Sequence, residues 1–156
     1  MGLAAVGLLA ASAAAKPATL TGDLPRRAAT PVEDTPGLET QYGAVQVADG
    51  VRLRTFLTRP EGATKPLPAI FLVQWVSCGS LEFRAGRPSQ LRELARASGM
   101  VLIRVERSGT GDSEGVPCSE LDHDSEIAHY RAALKVLSRH PWVDPKRIVL
   151  YGSSLG

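Results

Sequence analysis

The sequence carries no block of lysine or arginine. Its 18 basic and 16 acidic residues are interspersed and leave a formal net charge of +2, too small to favour nucleic acid or another polyanion as a partner. It also lacks an apolar run of the roughly 20 residues that a membrane-spanning helix needs; the segment Leu3–Ala14 stops well short of that. There is no internal repeat. No Gly-Lys-Ser/Thr occurs, which removes the phosphate-loop signature of nucleotide hydrolases. Cysteine is scarce, with Cys78 and Cys118 as the only two. What remains is an ordinary globular make-up, 44% hydrophobic and 22% charged.

Residues 1–15, "MGLAAVGLLAASAAA", read as a secretory signal peptide: an apolar stretch, then small residues, with Ala13-x-Ala15 as the cleavage site. No Lys or Arg precedes the apolar run, so a cytoplasmic protein with an Ala-rich N-terminus is the alternative. Residues 16–38 contain Pro17, Pro25, Pro31 and Pro36 and read as a Pro/Ala-rich linker, since proline at that density blocks helix and central strand alike. Residues 39–156 read as one domain. An even pair of cysteines in an exported chain points to a disulfide between Cys78 and Cys118. Two buried thiols are the cytosolic alternative.

Within 39–156 the pattern alternates. Val45 and Val47 precede Asp49-Gly50, and Val51, Leu53 and Leu57 follow it, which is a hairpin signal. "AIFLVQW" (Ala69–Trp75) is continuously apolar, as a strand buried on both faces is. "PSQLRELARASGM" predicts a helix with Ser89 as N-cap, Gly99 as C-cap and Leu91, Leu94 and Ala95 on one face. Met100–Val105 is a further strand. A longer helix follows over about Leu121–Arg139, with Ile127, Tyr130, Leu134 and Leu137 in one stripe. Arg147–Tyr151 is a last buried strand. Strand–helix–strand–helix–strand after a hairpin predicts an α/β fold with a mixed, mostly parallel sheet and an antiparallel leading hairpin.

Two stretches bear on chemistry. The chain closes on Gly152-Ser153-Ser154-Leu155-Gly156, a G-x-S-x-G directly after the last strand. In that setting the serine sits on a tight strand-to-helix turn, and Ser154 is the candidate nucleophile. The next amide, that of Leu155, would face a developing oxyanion. The second stretch is the glycine loop "RSGTGDSEG" (Arg107–Gly115). Its spacing, G-x-G-x-x-x-G, is one residue off the dinucleotide fingerprint, so Asp112 and Ser113 are expected to make local hydrogen bonds that fix the loop.

Taken together, "VRLRTFLTRPEG", "IRVERSGTGDSEG" and "HPWVDPKRIVLYGSSLG" resemble the α/β-hydrolase superfamily, in its prolyl-oligopeptidase-like and cocaine-esterase/X-Pro-dipeptidyl-peptidase-like branches, across residues 39–156. The resemblance implies the N-terminal portion of an α/β-hydrolase fold and a serine hydrolase of ester or peptide bonds acting through an acyl-Ser154 intermediate. It implies no cofactor and no metal. It places Gln74-Trp75 where relatives carry a His-Gly or Gly-Gly dipeptide, so a second oxyanion donor is the amide of Trp75 or Val76; Trp75 is equally readable as an acyl-pocket wall or as core. Cys78 and Cys118 would both lie past the carboxyl ends of strands, on the active-site edge, where a bridge closing about 40 residues is worth roughly 4 kcal/mol.

The chain order of the superfamily, Ser then Asp/Glu then His, leaves no acid or base here. His123, His129 and His140 all precede Ser154 and read as exposed polar positions, and Asp112, Asp122, Asp124 and Asp144 are excluded by the same rule. The expectation is an N-terminal fragment that is inactive and poorly soluble alone, with a small-molecule ester or peptide as the substrate of the whole. A truncated product or a partner-binding fragment is the alternative.

Overall fold

The computed structural model describes residues 19–22, 24–47, 50–154 and 156. Six strands form one mixed sheet: β1 (Thr19–Thr21), β2 (Leu38–Gln46), β3 (Arg52–Pro60), β4 (Leu67–Val73), β5 (Val101–Val105) and β6 (Val143–Gly152), in the order β1-β2-β3-β5-β4-β6. The hairpin is present, with β2 and β3 antiparallel in the register Gln46↔Arg52. Asp49, half of its turn signal, lies outside the described residues, as do residues 1–15 and Leu155. The antiparallel part is larger than a hairpin: β1 adds to β2, and β3 runs antiparallel to β5. β4 is parallel to both β5 and β6.

Side chains alternate between the faces of a strand, and here that alternation builds two cores. Leu57, Phe71 and Ile103 share one face, covered by Tyr130, Ala133 and Leu137 of helix α2 (His123–Leu137). Ile70 and Leu102 share the other, covered by Ala95, Leu91 and Leu94 of helix α1 (Gln90–Ser98). Each helix starts where a side-chain oxygen takes up a free amide: Ser89 accepts from Arg92 N, and Asp122 from Ser125 N. α1 ends at Gly99, in the left-handed region at φ 64°.

β6 begins four residues earlier than its apolar run. Val143 pairs with Leu67 ahead of an irregularity, and regular pairing starts at Ala69↔Ile148. Asp144 keeps the expected turn role, accepting from Lys146 N at 3.0 Å and Arg147 Nε at 2.7 Å. Among the described residues β6 is an edge strand, and Val149, Leu150 and Tyr151 are exposed on it.

The segment read as a linker is fastened to the domain. Leu24 is buried, and its carbonyl accepts from Arg54 at 2.7 Å. The Arg27 amide donates to Asp112 at 2.6 Å. Glu33 reaches into the sheet: its carboxylate pairs with Arg104 of β5 and accepts from Phe83 N at 2.6 Å. Neither Arg104 nor Glu33 retains more than 1% of its side-chain exposure. The prolines do keep residues 24–34 out of helix and strand, but ionic and hydrogen-bonding side chains supply what regular structure does not.

Candidate active site

The carboxyl ends of β4, β5 and β6 converge, and the loops that leave them form the site. β6 delivers Gly152 into a turn whose middle, Ser154, has φ 61°, the only described non-glycine residue at positive φ. For a residue with a Cβ this conformation costs about 1–3 kcal/mol and persists only where the surroundings enforce it. Here backbone enforces it. A Cβ on Gly152 would collide with the Gly156 backbone, and a Cβ on Gly156 with the Val73 carbonyl at the end of β4. The Gly156 amide donates to Ser153 O at 3.0 Å and closes the turn. Ser154 is thereby left exposed at the top of the sheet.

The loop after β4 runs beside this turn. Gln74 is buried and its amide nitrogen donates to the carbonyls of Ser77 and Gly79. Trp75 and Val76 are exposed, and among the described residues neither of their amides donates a hydrogen bond to backbone or side chain. Trp75 therefore does not serve as core. It walls a cleft of about 490 Å³ with Leu91 and Leu94 of α1, Tyr151 of β6 and Ser153 of the turn. Cys78 and Cys118 are bridged, with Cα atoms 5.6 Å apart and 40 residues between them in sequence. Replacing both with serine should lower stability by about 4 kcal/mol, the loop-closure entropy returned to the unfolded chain. Urea unfolding of the oxidised wild type against the double variant measures it, and a loss under about 1 kcal/mol would contradict it.

The glycine loop carries the expected local hydrogen bonds, Ser113 N to Thr110 O at 2.8 Å and Asp112 N to Glu106 at 3.3 Å, and is anchored over long range as well. Asp112 pairs with buried Arg54 through Nε at 3.1 Å and an η nitrogen at 2.9 Å, and Ser113 Oγ accepts from Arg54 N at 2.9 Å. Glu106, at the end of β5, takes hydrogen bonds from the Ser80 hydroxyl, Leu81 N and Asp112 N. Its carboxylate fills the space where Gly111, at φ 54°, would place a Cβ. Burial pushes this carboxyl above the usual range, against the pull of those three donors. The loop closes around the carboxylates of Glu106 and Asp112, and acidic groups at that place repel a phosphate, which argues against a dinucleotide role for its glycines.

Residues 49–156 match the X-Pro dipeptidyl-peptidase (S15) family. The chain belongs to that family. Among sequence relatives, polyketide transferase ATR5 of Stachybotrys chlorohalonatus is 34% identical over 111 residues, covering 69% of this chain and 34% of that protein. Thiohydrolase aneE of Aspergillus aculeatus is 32% identical over 62 residues, 40% of this chain and 20% of that one. Among solved structures, a variant of esterase rPPE superposes with a TM-score of 0.56 at 23% identity, covering 80% of this chain and 37% of its own. The chain thus spans about a third or less of the curated relatives it matches. Its fold, shared with esterase rPPE, is that of the α/β hydrolases.

Of the residues singled out in this S15 chain, the fold gathers Ser154, Trp75 and the Cys78–Cys118 bridge at one end of the sheet; Leu155 lies outside the described residues. It uses the histidines differently. His140 is buried, not exposed: its Nε2 lies 3.1 Å from Gln41 Oε1, and its Nδ1 accepts from Trp142 N at 3.2 Å. Burial, with Arg59 nearby, lowers its pKa and favours the neutral ring. His129 is half-buried on α2, and His123 alone of the three is exposed. The pattern of residue types did not expose Glu106, Arg54 and Arg104, and it marked Gln74 only as a member of the Gln74-Trp75 pair, without its side-chain role. The one available signal was a charged residue inside an otherwise apolar strand, as in "VLIRV".

Proposed function

We propose that Ser154 is the nucleophile of an acyl hydrolase. The observation that carries this reading is the left-handed backbone of Ser154, held by two glycines that leave no space for a side chain. Ser154 Oγ attacks an acyl carbon, the amide of Leu155 together with that of Trp75 or Val76 binds the oxyanion, the alcohol or thiol leaves protonated, and water releases the acyl group from Ser154. The general base and its acid partner belong, by the chain order of this fold, to sequence following Gly156 in a whole protein whose N-terminal portion these residues are.

A small-molecule ester or thioester is favoured over a peptide, since the relatives bear the names of a polyketide transferase, a thiohydrolase and an esterase. A fluorophosphonate probe on the whole protein, read by peptide mass spectrometry, is expected to label Ser154; a label on Ser153, or none, refutes the assignment. We also propose export, supported by residues 1–15 and by a disulfide suited to an oxidising compartment. N-terminal sequencing of the secreted form should then begin at Lys16, and finding the protein unprocessed in the cytoplasm would overturn it.

A further inference from the structure

Gln74 stands at the crossing of every element that builds the site. It follows β4 directly, keeps 2% of its exposure, and donates its backbone amide to the Tyr130 hydroxyl of α2 at 3.3 Å. A Cβ on Gly156 would lie 3.1 Å from its carbonyl, so the serine turn rests on it. Its side chain turns forward along its own loop: Nε2 donates to Ser77 O at 3.3 Å and Gly79 O at 2.9 Å. Two carbonyl partners identify the nitrogen of the amide, because an oxygen there would face two acceptors.

Filling space does not explain this residue. Among the described residues no donor reaches its Oε1, and a buried amide oxygen without a donor is unfavourable. An apolar side chain of the same length would avoid that. What an apolar side chain cannot do is draw the carbonyls of Ser77 and Gly79 onto one point and so fold residues 75–79 into a compact bend. That bend carries the exposed residues Trp75 and Val76, whose amides donate no hydrogen bond among the described residues, beside the serine turn and holds Cys78 at its bridge. Arg107 adds a single long contact to Ser77 O, 3.4 Å.

We propose that Gln74 is a positioning residue for acyl transfer: its amide shapes the loop after β4 so that the Trp75 and Val76 amides face the carbonyl under attack at Ser154. This rests on the acyl-Ser154 reading. The role is indirect, because the Gln74 side chain is spent on the loop and does not touch the reacting atoms.

The test uses the whole protein, with p-nitrophenyl acetate turnover, thermal midpoint and fluorophosphonate labelling rate measured together. Gln74→Met keeps length and removes both donors. It is expected to lower kcat and the labelling rate about 100-fold, as loss of one oxyanion donor does, with KM within about twofold and a near-unchanged thermal midpoint. Gln74→His, which keeps one ring N–H, should recover about tenfold of that loss. A Gln74→Met protein that turns over and labels at the wild-type rate overturns the proposal, as does one that only melts earlier. If Gln74→Met does not fold, Gln74→Leu replaces it: an aliphatic side chain cannot donate to either carbonyl, so the same kcat loss is expected and wild-type turnover again overturns the role. Wild-type protein unlabelled at Ser154 defeats the nucleophile reading itself, whereas a labelled wild type with a fully active Gln74→Met defeats this proposal alone.

Discussion

Ser154→Ala in the whole protein should lower kcat by about 10⁴-fold or more, because a nucleophile acting with its base as a unit cannot be replaced by the rest of the site. The thermal midpoint should hardly move. Ser154 is exposed, so alanine removes no buried contact, and alanine keeps the Cβ that makes φ 61° unfavourable. Ser154→Gly separates the two properties of the position. It should be equally inactive, yet more stable by up to about 1 kcal/mol, since glycine accepts positive φ without the Cβ penalty and gives back part of that gain as chain entropy. Paired measurements of turnover and urea unfolding decide it. An active Ser154→Ala protein defeats the nucleophile assignment. A Ser154→Gly protein less stable than wild type defeats the strain argument and with it the idea that stability is given up here for function.

What the sequence made legible was whatever is written locally. Ser89 and Gly99 bound α1 because a cap and a left-handed stop act within one turn. The glycines at 152 and 156 announced the turn because the requirement for no side chain is intrinsic to its geometry. The hairpin followed from alternation, and the two-faced burial of β4 from its continuous apolarity. The features that stayed hidden are pairings between distant positions. Glu33 and Arg104 are 71 residues apart and Arg54 and Asp112 are 58 apart, and nothing in the neighbourhood of any of the four names its partner. Alternation even misdirects at Arg54: it marks polar positions of β3 as facing water, but the N-terminal segment and the glycine loop cover that place. Prolines misdirect in the same way, since they exclude regular structure without saying whether a segment is docked. β6 was underestimated because Pro145 reads as a strand breaker, while the pairing of Val143 with Leu67 lies ahead of an irregularity that tolerates it.

These hidden pairs share a direction. Arg54 joins β3 to the glycine loop, Glu106 joins that loop to Ser80 and Leu81, and Arg104 joins Leu81 to the N-terminal segment. Each ties a loop beside the candidate site to the rigid sheet through a buried charge. A site that must hold amides in fixed positions needs such support, because loops alone lack the packing to resist displacement.

The strongest of these ties should also be the most damaging to remove. Arg104 lies in the sheet with no exposed side-chain surface, stacked 3.6 Å from the Phe83 ring centroid. Its guanidinium spans four acceptors: both Glu33 oxygens, Leu81 O at 2.7 Å and Thr58 Oγ1 at 2.6 Å. Arg104→Met preserves much of the volume but leaves Glu33 as a buried carboxylate without a cation and Leu81 O without its side-chain donor. Breaking a buried pair from one side costs about 3–5 kcal/mol, and the orphaned carbonyl adds to it, so a loss of about 5 kcal/mol is expected in urea unfolding. Adding Glu33→Gln removes the stranded charge. The double variant should therefore be more stable than Arg104→Met alone, with a coupling of about 1–3 kcal/mol in the double-mutant cycle. The N-terminal segment should loosen as well, so trypsin should cut at Arg26 and Arg27 faster in Arg104→Met than in wild type. Arg104→Met within about 1 kcal/mol of wild type, or a double variant no better than the single, would mean that the N-terminal segment is held by its backbone contacts, Arg27 N to Asp112 at 2.6 Å and Glu33 N to the Tyr42 hydroxyl at 2.8 Å, rather than by this ion pair.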